Sequence, residues 1–240
     1  FYMEKIKDKK IVLVGASGSI GSRTAKLLSA GGADLYITGH NAERLKQTAM
    51  DCGISSNKVF ELDITKEDQV QTVTDAILRL SGGIDILIIA SGIGIIKPIE
   101  LLTTEDFLKS LAVNLTGPFL LIKGFLPAMK EQKKGLIINI PGILGKTPMA
   151  GAVAYSASKY GLNGMMKSLR EELKRTEIRI TQLFLGGVDS NFWNEIDLRV
   201  QRDKMIQAEE AAKAIWFLCQ QPVSGVVSEM VIQPFNHQVI

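Results

Sequence analysis

With 240 residues, 46% of them hydrophobic and 22% charged, the chain has an ordinary globular composition and length enough for a large buried core. The formal net charge of +3 is small and its lysines are scattered, which argues against nucleic acid as a partner; the "KIKDKK" run at 5–10 reads as a solvated lead-in. Two cysteines, Cys52 and Cys219, lie in helix-like stretches without metal spacing, so they read as reduced thiols of a cytoplasmic protein, and no metal is expected. No signal core stands near the N-terminus, and no apolar run is expected to reach the ~18 residues of a membrane span.

In chain order, "KIVLVG" (10–15) is a continuous apolar run of the kind buried on both faces of a sheet. It turns through "ASGSIGS" into a helical pattern at 20–31. In that turn Gly15, Gly18 and Gly21 allow a tight bend and close approach of main chain to a phosphate. The helix start adds N–H groups and a positive dipole end, and Ser17 and Ser19 add hydroxyls. Standing between the first strand and first helix, the turn points to a dinucleotide.

"DLYIT" (34–38) is the second strand, followed by a helix at 41–52. An acid at that strand's end would bind a ribose 2′-hydroxyl and repel a 2′-phosphate. Gly39, His40 and Asn41 stand there instead, with Arg44 one turn later, which favours NADP(H) over NAD(H).

The remaining strands are "KVFEL" (58–62), "IDILIIA" (84–90), "GLIINI" (135–140), "IRITQLFL" (178–185) and "VVSEMVI" (226–232). Helices fall between them at 66–80, 104–130, 152–175 and 208–220, with Thr65 and Thr103 as N-caps. About seven strands alternating with helices describe an α/β fold: a Rossmann-like, doubly wound, mainly parallel sheet in a single domain spanning 1–240. Residues 1–9 are its lead-in, and 187–207, with aromatics and charges, reads as a substrate lid.

Tyr155 and Lys159 are four apart at the start of the helix after the fifth strand, so both side chains share one face. A phenol beside an ammonium is a proton donor in waiting, placed at the sheet edge where such folds bind ligands.

Together, "GASGSIG", "LDIT" (62–65), "DILIIASG" (85–92), "VNLTGPF" (113–119), "YSASK" (155–159) and "GGVDS" (186–190) resemble the short-chain dehydrogenase/reductase family, in its 3-oxoacyl-ACP-reductase-like form, over essentially the whole chain. The resemblance implies that Tyr155 is the general acid and that Lys159 supplies a nearby charge and holds the nicotinamide ribose. It implies that Asn114 holds a water in a proton relay. Through the same motifs it implies cofactor contacts at Gly15, Ser17, Gly18, Ser19, Ile20, Gly21, His40, Arg44, Asp63, Ile64, Ser91, Gly92, Val188 and Ser190. Homodimers or homotetramers through helices 104–130 and 152–175 are likewise implied.

The pattern also departs from that family. Where the family carries a serine thirteen residues before its tyrosine, Gly142 follows Pro141, and between 135 and 154 the single side-chain hydroxyl is Thr147. Ile89-Ala90 replace two asparagines, and Leu185 replaces a proline. Substrate contacts are expected at Gly142, Ile93, Leu144, Met149, Phe192 and Trp193, with Ile95, Ile96, Ile143 and Met205 nearby, an apolar set suited to a hydrophobic small-molecule carbonyl or alcohol. Two readings stay open: an NADP(H)-dependent oxidoreductase with an altered oxyanion partner, or a dinucleotide-binding homologue with little turnover that serves as sensor or partner subunit.

Overall fold

A computed structural model describes residues 4–196 and 198–236. Seven parallel strands form the central sheet in the order β3-β2-β1-β4-β5-β6-β9. These are β1 (Lys10–Val14), β2 (Asp34–Gly39), β3 (Val59–Glu61), β4 (Ile86–Ile89), β5 (Lys134–Asn139), β6 (Glu177–Leu185) and β9 (Glu229–Ile232). A further pair absent from the sequence reading, β7 (Val188–Asp189) and β8 (Ile206–Gln207), closes the base of segment 187–207.

The continuous apolar runs have a simple cause. Successive strand residues point to opposite faces, and here each face has its own core. Ile11 and Leu13 of β1 join Leu136 and Ile138 of β5 on one side. There they meet α1 (Ser19–Ala30), α2 (Ala42–Asp51) and α7 (Ala208–Cys219) through Leu28, Leu45 and Ile215. Val12, Val14, Leu87 and Ile137 face the other side. That side is covered by α3 (Glu67–Ser81), α5 (Gly117–Gln132) and α6 (Val153–Leu173) through Ile77, Phe125 and Met166.

Several expectations need correction. The helix foreseen at 104–130 is α4 (Thr104–Leu111) and α5 joined by a π-helical turn, Ala112–Thr116. Thr103 does cap α4, in a capping box with Asp106. Thr65 does not cap α3; Lys66 takes that place, because the Thr65 hydroxyl donates to Asp63 at 2.7 Å. Taken as one run, Thr104–Gln132 is long and apolar enough to cross a membrane by length and composition, contrary to the sequence reading. In this fold the run packs on α3, α6 and β5. The lead-in, whose residues 1–3 lie outside the described range, is more than solvated charge: Ile6 is buried, and the Glu4 N–H donates to the Gln220 carbonyl at 3.0 Å. Cys52 is half-buried and Cys219 buried, both as free thiols.

The strand order reverses between β1 and β4, so a crevice opens beyond their carboxyl ends. All the chemistry-bearing residues named above lie on the segments that leave the sheet around this edge.

Candidate active site

The glycine-rich turn is held by contacts that exclude any side chain. At Gly15, with φ +91°, a Cβ would lie 2.8 Å from the Ala90 carbonyl carbon and the Ser91 nitrogen. At Gly21 it would lie 2.1 Å from the Gly15 oxygen, so α1 sits directly against the turn. Gly18, the N-cap of α1, offers no side chain, which leaves the first-turn N–H groups uncapped. Ser17 Oγ fits against Gly39, where a Cβ would come within 2.6 Å. Ser19 Oγ accepts a hydrogen bond from the Asn191 N–H at 3.2 Å, tying segment 187–207 to the turn.

At the outer rim Asn41 is the α2 N-cap, accepting from the Arg44 N–H at 2.8 Å, while the His40 and Arg44 side chains are exposed. Asp63 is slightly buried, which works to raise its pKa. Two hydrogen bonds from Thr65 and the charges of His40 and Lys66 outweigh this and hold it below the usual carboxylate range. The Ile64 side chain is buried, packed against Gly117 at the start of α5.

Closer to the sheet, Ser91 Oγ is buried without a protein partner and lines the main cavity. Beside it, a Cβ on Gly92 would stand 3.1 Å from Asn114 Oδ1 and 3.2 Å from Lys159 Nζ. Asn114 is fully buried in the π-helical turn. Its Oδ1 accepts from the Ile93 N–H, and its Nδ2 donates to the Ile93 carbonyl, each at 2.9 Å. The same Nδ2 donates to Ser158 Oγ at 3.1 Å. The π turn thus swings an amide out of the helix ladder to fasten the loop after β4 to α6.

Tyr155 and Lys159 share the face of α6 turned to the crevice. Lys159 is 3% exposed; its Nζ donates to the Ile140 carbonyl at 3.3 Å and stands 5.6 Å from the centre of the Tyr155 ring. Burial lowers the Lys159 pKa to about 8 and raises that of the Tyr155 phenol. Protein encloses the phenol, though part of its surface stays open to the cavity.

Gly142 has φ +70° and ψ 169°, a region open in practice to glycine alone. A Cβ there would lie 3.7 Å from the Tyr155 hydroxyl, in ordinary contact. Thr147 is not part of the cavity wall, so it does not replace the missing hydroxyl.

The cavity holds about 600 Å³. Of the expected substrate residues, Gly142, Leu144, Met149, Phe192 and Trp193 line it, as do Ile96, Ile143 and Met205. Ile93 and Ile95 do not; the main chain of Ile93 is held by Asn114, away from the wall. Of the expected cofactor residues, Ile20, Ser91, Gly92, Val188 and Ser190 reach the same cavity. Phe192 lies with its ring centre 5.7 Å from that of Tyr155, seated on Gly94, and Trp193 meets it edge-on at 5.1 Å. Leu198 to Gln201, Lys204, Pro234 and Asn236 also form the wall and were missed individually. The charges of 198–204 were the available signal. Among the described residues no group of His, Cys, Asp or Glu is placed to hold a metal.

The fold is a doubly wound sheet with Tyr155, Lys159 and Asn114 near its switch point, and residues 9–201 match the short chain dehydrogenase family. The chain belongs to that family and is an oxidoreductase. It is 30% identical to an uncharacterized oxidoreductase of Staphylococcus saprophyticus, over 99% of this chain and 100% of the relative. It is 30% identical to another from Staphylococcus epidermidis, over 97% and 100%. Among solved structures, a metagenomic short-chain oxidoreductase in complex with NADP superposes with TM-score 0.82 at 28% identity, over 98% of this chain and 100% of that one. An alcohol dehydrogenase of Thermococcus sibiricus shares the fold, with TM-score 0.86 at 23% identity over 98% and 100%.

Proposed function

We propose that this oxidoreductase interconverts a carbonyl and a hydroxyl on a hydrophobic small molecule, using NADP(H) in preference to NAD(H). One observation carries the reading. The Tyr155 phenol and the Lys159 ammonium face a single cavity whose wall also includes the unpartnered Ser91 hydroxyl and Gly92.

The residues present fit a dinucleotide. Gly15, Gly18 and Gly21 keep the turn free of side chains, α1 presents uncapped N–H groups, and Ser91 Oγ is a buried polar atom in want of a partner. Ser17, Ser19 and Ser190 would serve the phosphates, Asp63 the base end, and Lys159 the inner ribose. When bound, the nicotinamide ring supplies or accepts hydride at the substrate carbon.

The chain's own part is proton management. In reduction Tyr155 gives its proton to the substrate oxygen; in oxidation it takes one. An unperturbed phenol titrates near pKa ~10, and burial alone raises it, so the phenolate must be stabilised as it forms. The Lys159 charge does this while it remains protonated. Asn114 keeps the loop bearing Gly92 and Ile93 in register with Lys159, and the family role of holding a relay water is consistent with that place. Ile143, Leu144, Met149, Phe192 and Met205 make the wall apolar and help exclude water.

The absence of an acid from 39 to 42, with His40 and Arg44 exposed beside the site, supports NADP(H). The solved relative in complex with NADP is in keeping. Homodimers or homotetramers are supported by exposed Leu108, Phe119, Val153 and Tyr160 on α4, α5 and α6, and a cytoplasmic location by the free thiols. No nucleic acid or membrane partner is assigned.

The test is NADPH oxidation against a panel of aliphatic and aryl ketones. Turnover by the wild type, abolished in Tyr155→Phe with NADPH binding retained and abolished in Lys159→Met, supports the reading. Tight NADPH binding with no oxidation across the panel, or an unaffected Tyr155→Phe, overturns it.

A further inference from the structure

The cavity wall is mostly apolar but includes two exposed cations. Ile96, Ile143, Leu144 and Met149 line it together with Tyr155, and the segment after β7 adds Arg199 and Lys204, both with exposed side chains. Among the described residues no carboxylate lines the cavity. The lid's third cation is already engaged: Arg202 pairs with Asp189 at 3.7 Å and donates to Asn194 Oδ1 at 2.6 Å. Neither Arg199 nor Lys204 has a side-chain partner among the described residues, although both line the cavity. Gln201 and Asn236 add neutral polar groups to the lining.

A purely apolar substrate would leave these two charges facing its surface with nothing to pair with. The charges are useful if the ligand brings a negative group. We propose that the substrate is amphipathic: an apolar body bearing the reacting carbonyl near Tyr155, with an anionic terminus that Arg199 and Lys204 meet at the mouth. The carbonyl part of this rests on the oxidoreductase reading above; the anion-binding part does not. A terminal carboxylate and a terminal phosphate share the chemistry required. Being solvent-exposed, the two contacts together discriminate by about tenfold rather than by orders of magnitude.

The experiment is calorimetric titration of the NADP⁺-loaded protein with decanol, decanoate and decyl phosphate. Decanoate or decyl phosphate is expected to bind about tenfold tighter than decanol, the better of the two naming the source of the anion. The preference should fall on raising salt and vanish in the Arg199→Gln/Lys204→Gln pair, with NADP⁺ affinity unchanged. Equal affinity for all three ligands in the wild type overturns the proposal, whatever the variants do. A variant that loses NADP⁺ affinity also overturns it, since the cations would then serve the cofactor. Reduction of 9-oxodecanoate and 2-decanone by NADPH separates the two claims. If neither ketone turns over but the anion preference stands, the reductase reading fails and the anion site survives.

Discussion

The Tyr155 hydroxyl lies 3.7 Å from the point where a side chain at Gly142 would begin, close enough for a serine there to share a substrate oxygen with the phenol. Space does not forbid that serine; the backbone does. With φ +70° and ψ 169°, residue 142 occupies a conformation that costs an L-residue about 1–3 kcal/mol. Gly142→Ser and Gly142→Ala are therefore both expected to lose stability of that order, read as a lowered midpoint in chemical denaturation. Their activities should part company. Serine restores a donor beside Tyr155 and alanine does not, so kcat of the serine variant should exceed that of the alanine variant by about tenfold, less than a preorganised donor contributes. Equal kcat values would mean that no oxyanion partner is wanted at this position.

On the mechanism proposed above, Lys159 sets the pH range of the reaction. Its burial brings its pKa down to about 8, while burial pushes the Tyr155 phenol up, so the acid keeps its proton and the helper loses its charge first. Carbonyl reduction should accordingly be level below pH 8 and fall as pH rises through it. The stability linkage has the opposite sign. With a folded pKa below the unfolded ~10.4, the unfolded chain binds more protons between pH 8 and 10, so the fold gains stability as pH rises through that window. A pH–rate profile and denaturation at pH 7 and 9.5 check both. Lys159→Arg, whose charge does not titrate in this range, should flatten the first dependence, and Lys159→Met should weaken the second.

Much of this was legible beforehand, for physical reasons. Strands buried on both faces leave continuous apolar runs, as Ile86 to Ile89 shows by feeding alternate residues to the two cores. Gly15 and Gly21 announced the phosphate turn because no other residue fits there. What stayed hidden depends on contacts remote in sequence. The π turn follows from Asn114 reaching Ile93, 21 positions back. The flipped backbone at Gly142 leaves no trace beyond a Pro-Gly pair. Ile93 was expected in the cavity wall and lies outside it, because a branched apolar residue after a strand looks the same whether it lines a cavity or packs. Thr65 was taken for a cap because its true partner, Asp63, is itself a common turn residue.

Asn114 offers a sharper test than its neighbours, because its two ends act on one residue. Asn114→Asp keeps an acceptor for the Ile93 N–H but removes the donor to the Ile93 carbonyl and to Ser158. Asn114→Leu removes both and leaves two main-chain groups unsatisfied, at about 1–3 kcal/mol each. Stability should fall from wild type to Asp to Leu. The loop at Gly92 and Ile93 loosens in the same order, so KM for the dinucleotide should rise along the series. A drop in kcat with an unchanged KM would instead place Asn114 in proton transfer alone.

On the proposed preference for NADP(H), the choice of dinucleotide turns on charge at the end of β2. His40 and Arg44 are exposed, and Asn41 is already committed to capping α2, so the two basic side chains remain free to meet a 2′-phosphate. Asp63, close enough for its charge to be felt by His40, limits how much a phosphate gains there. Replacing both basic residues in His40→Ala/Arg44→Ala should raise KM for NADPH by about tenfold and leave KM for NADH within about twofold, since exposed contacts contribute up to about 1 kcal/mol each. Gly39→Asp is the wrong route to NAD(H), because a side chain at 39 would strike Ser17 Oγ at 2.6 Å. His40→Asp supplies the carboxylate without that clash and is expected to reverse the preference. Equal changes in both KM values would place the phosphate elsewhere on the rim.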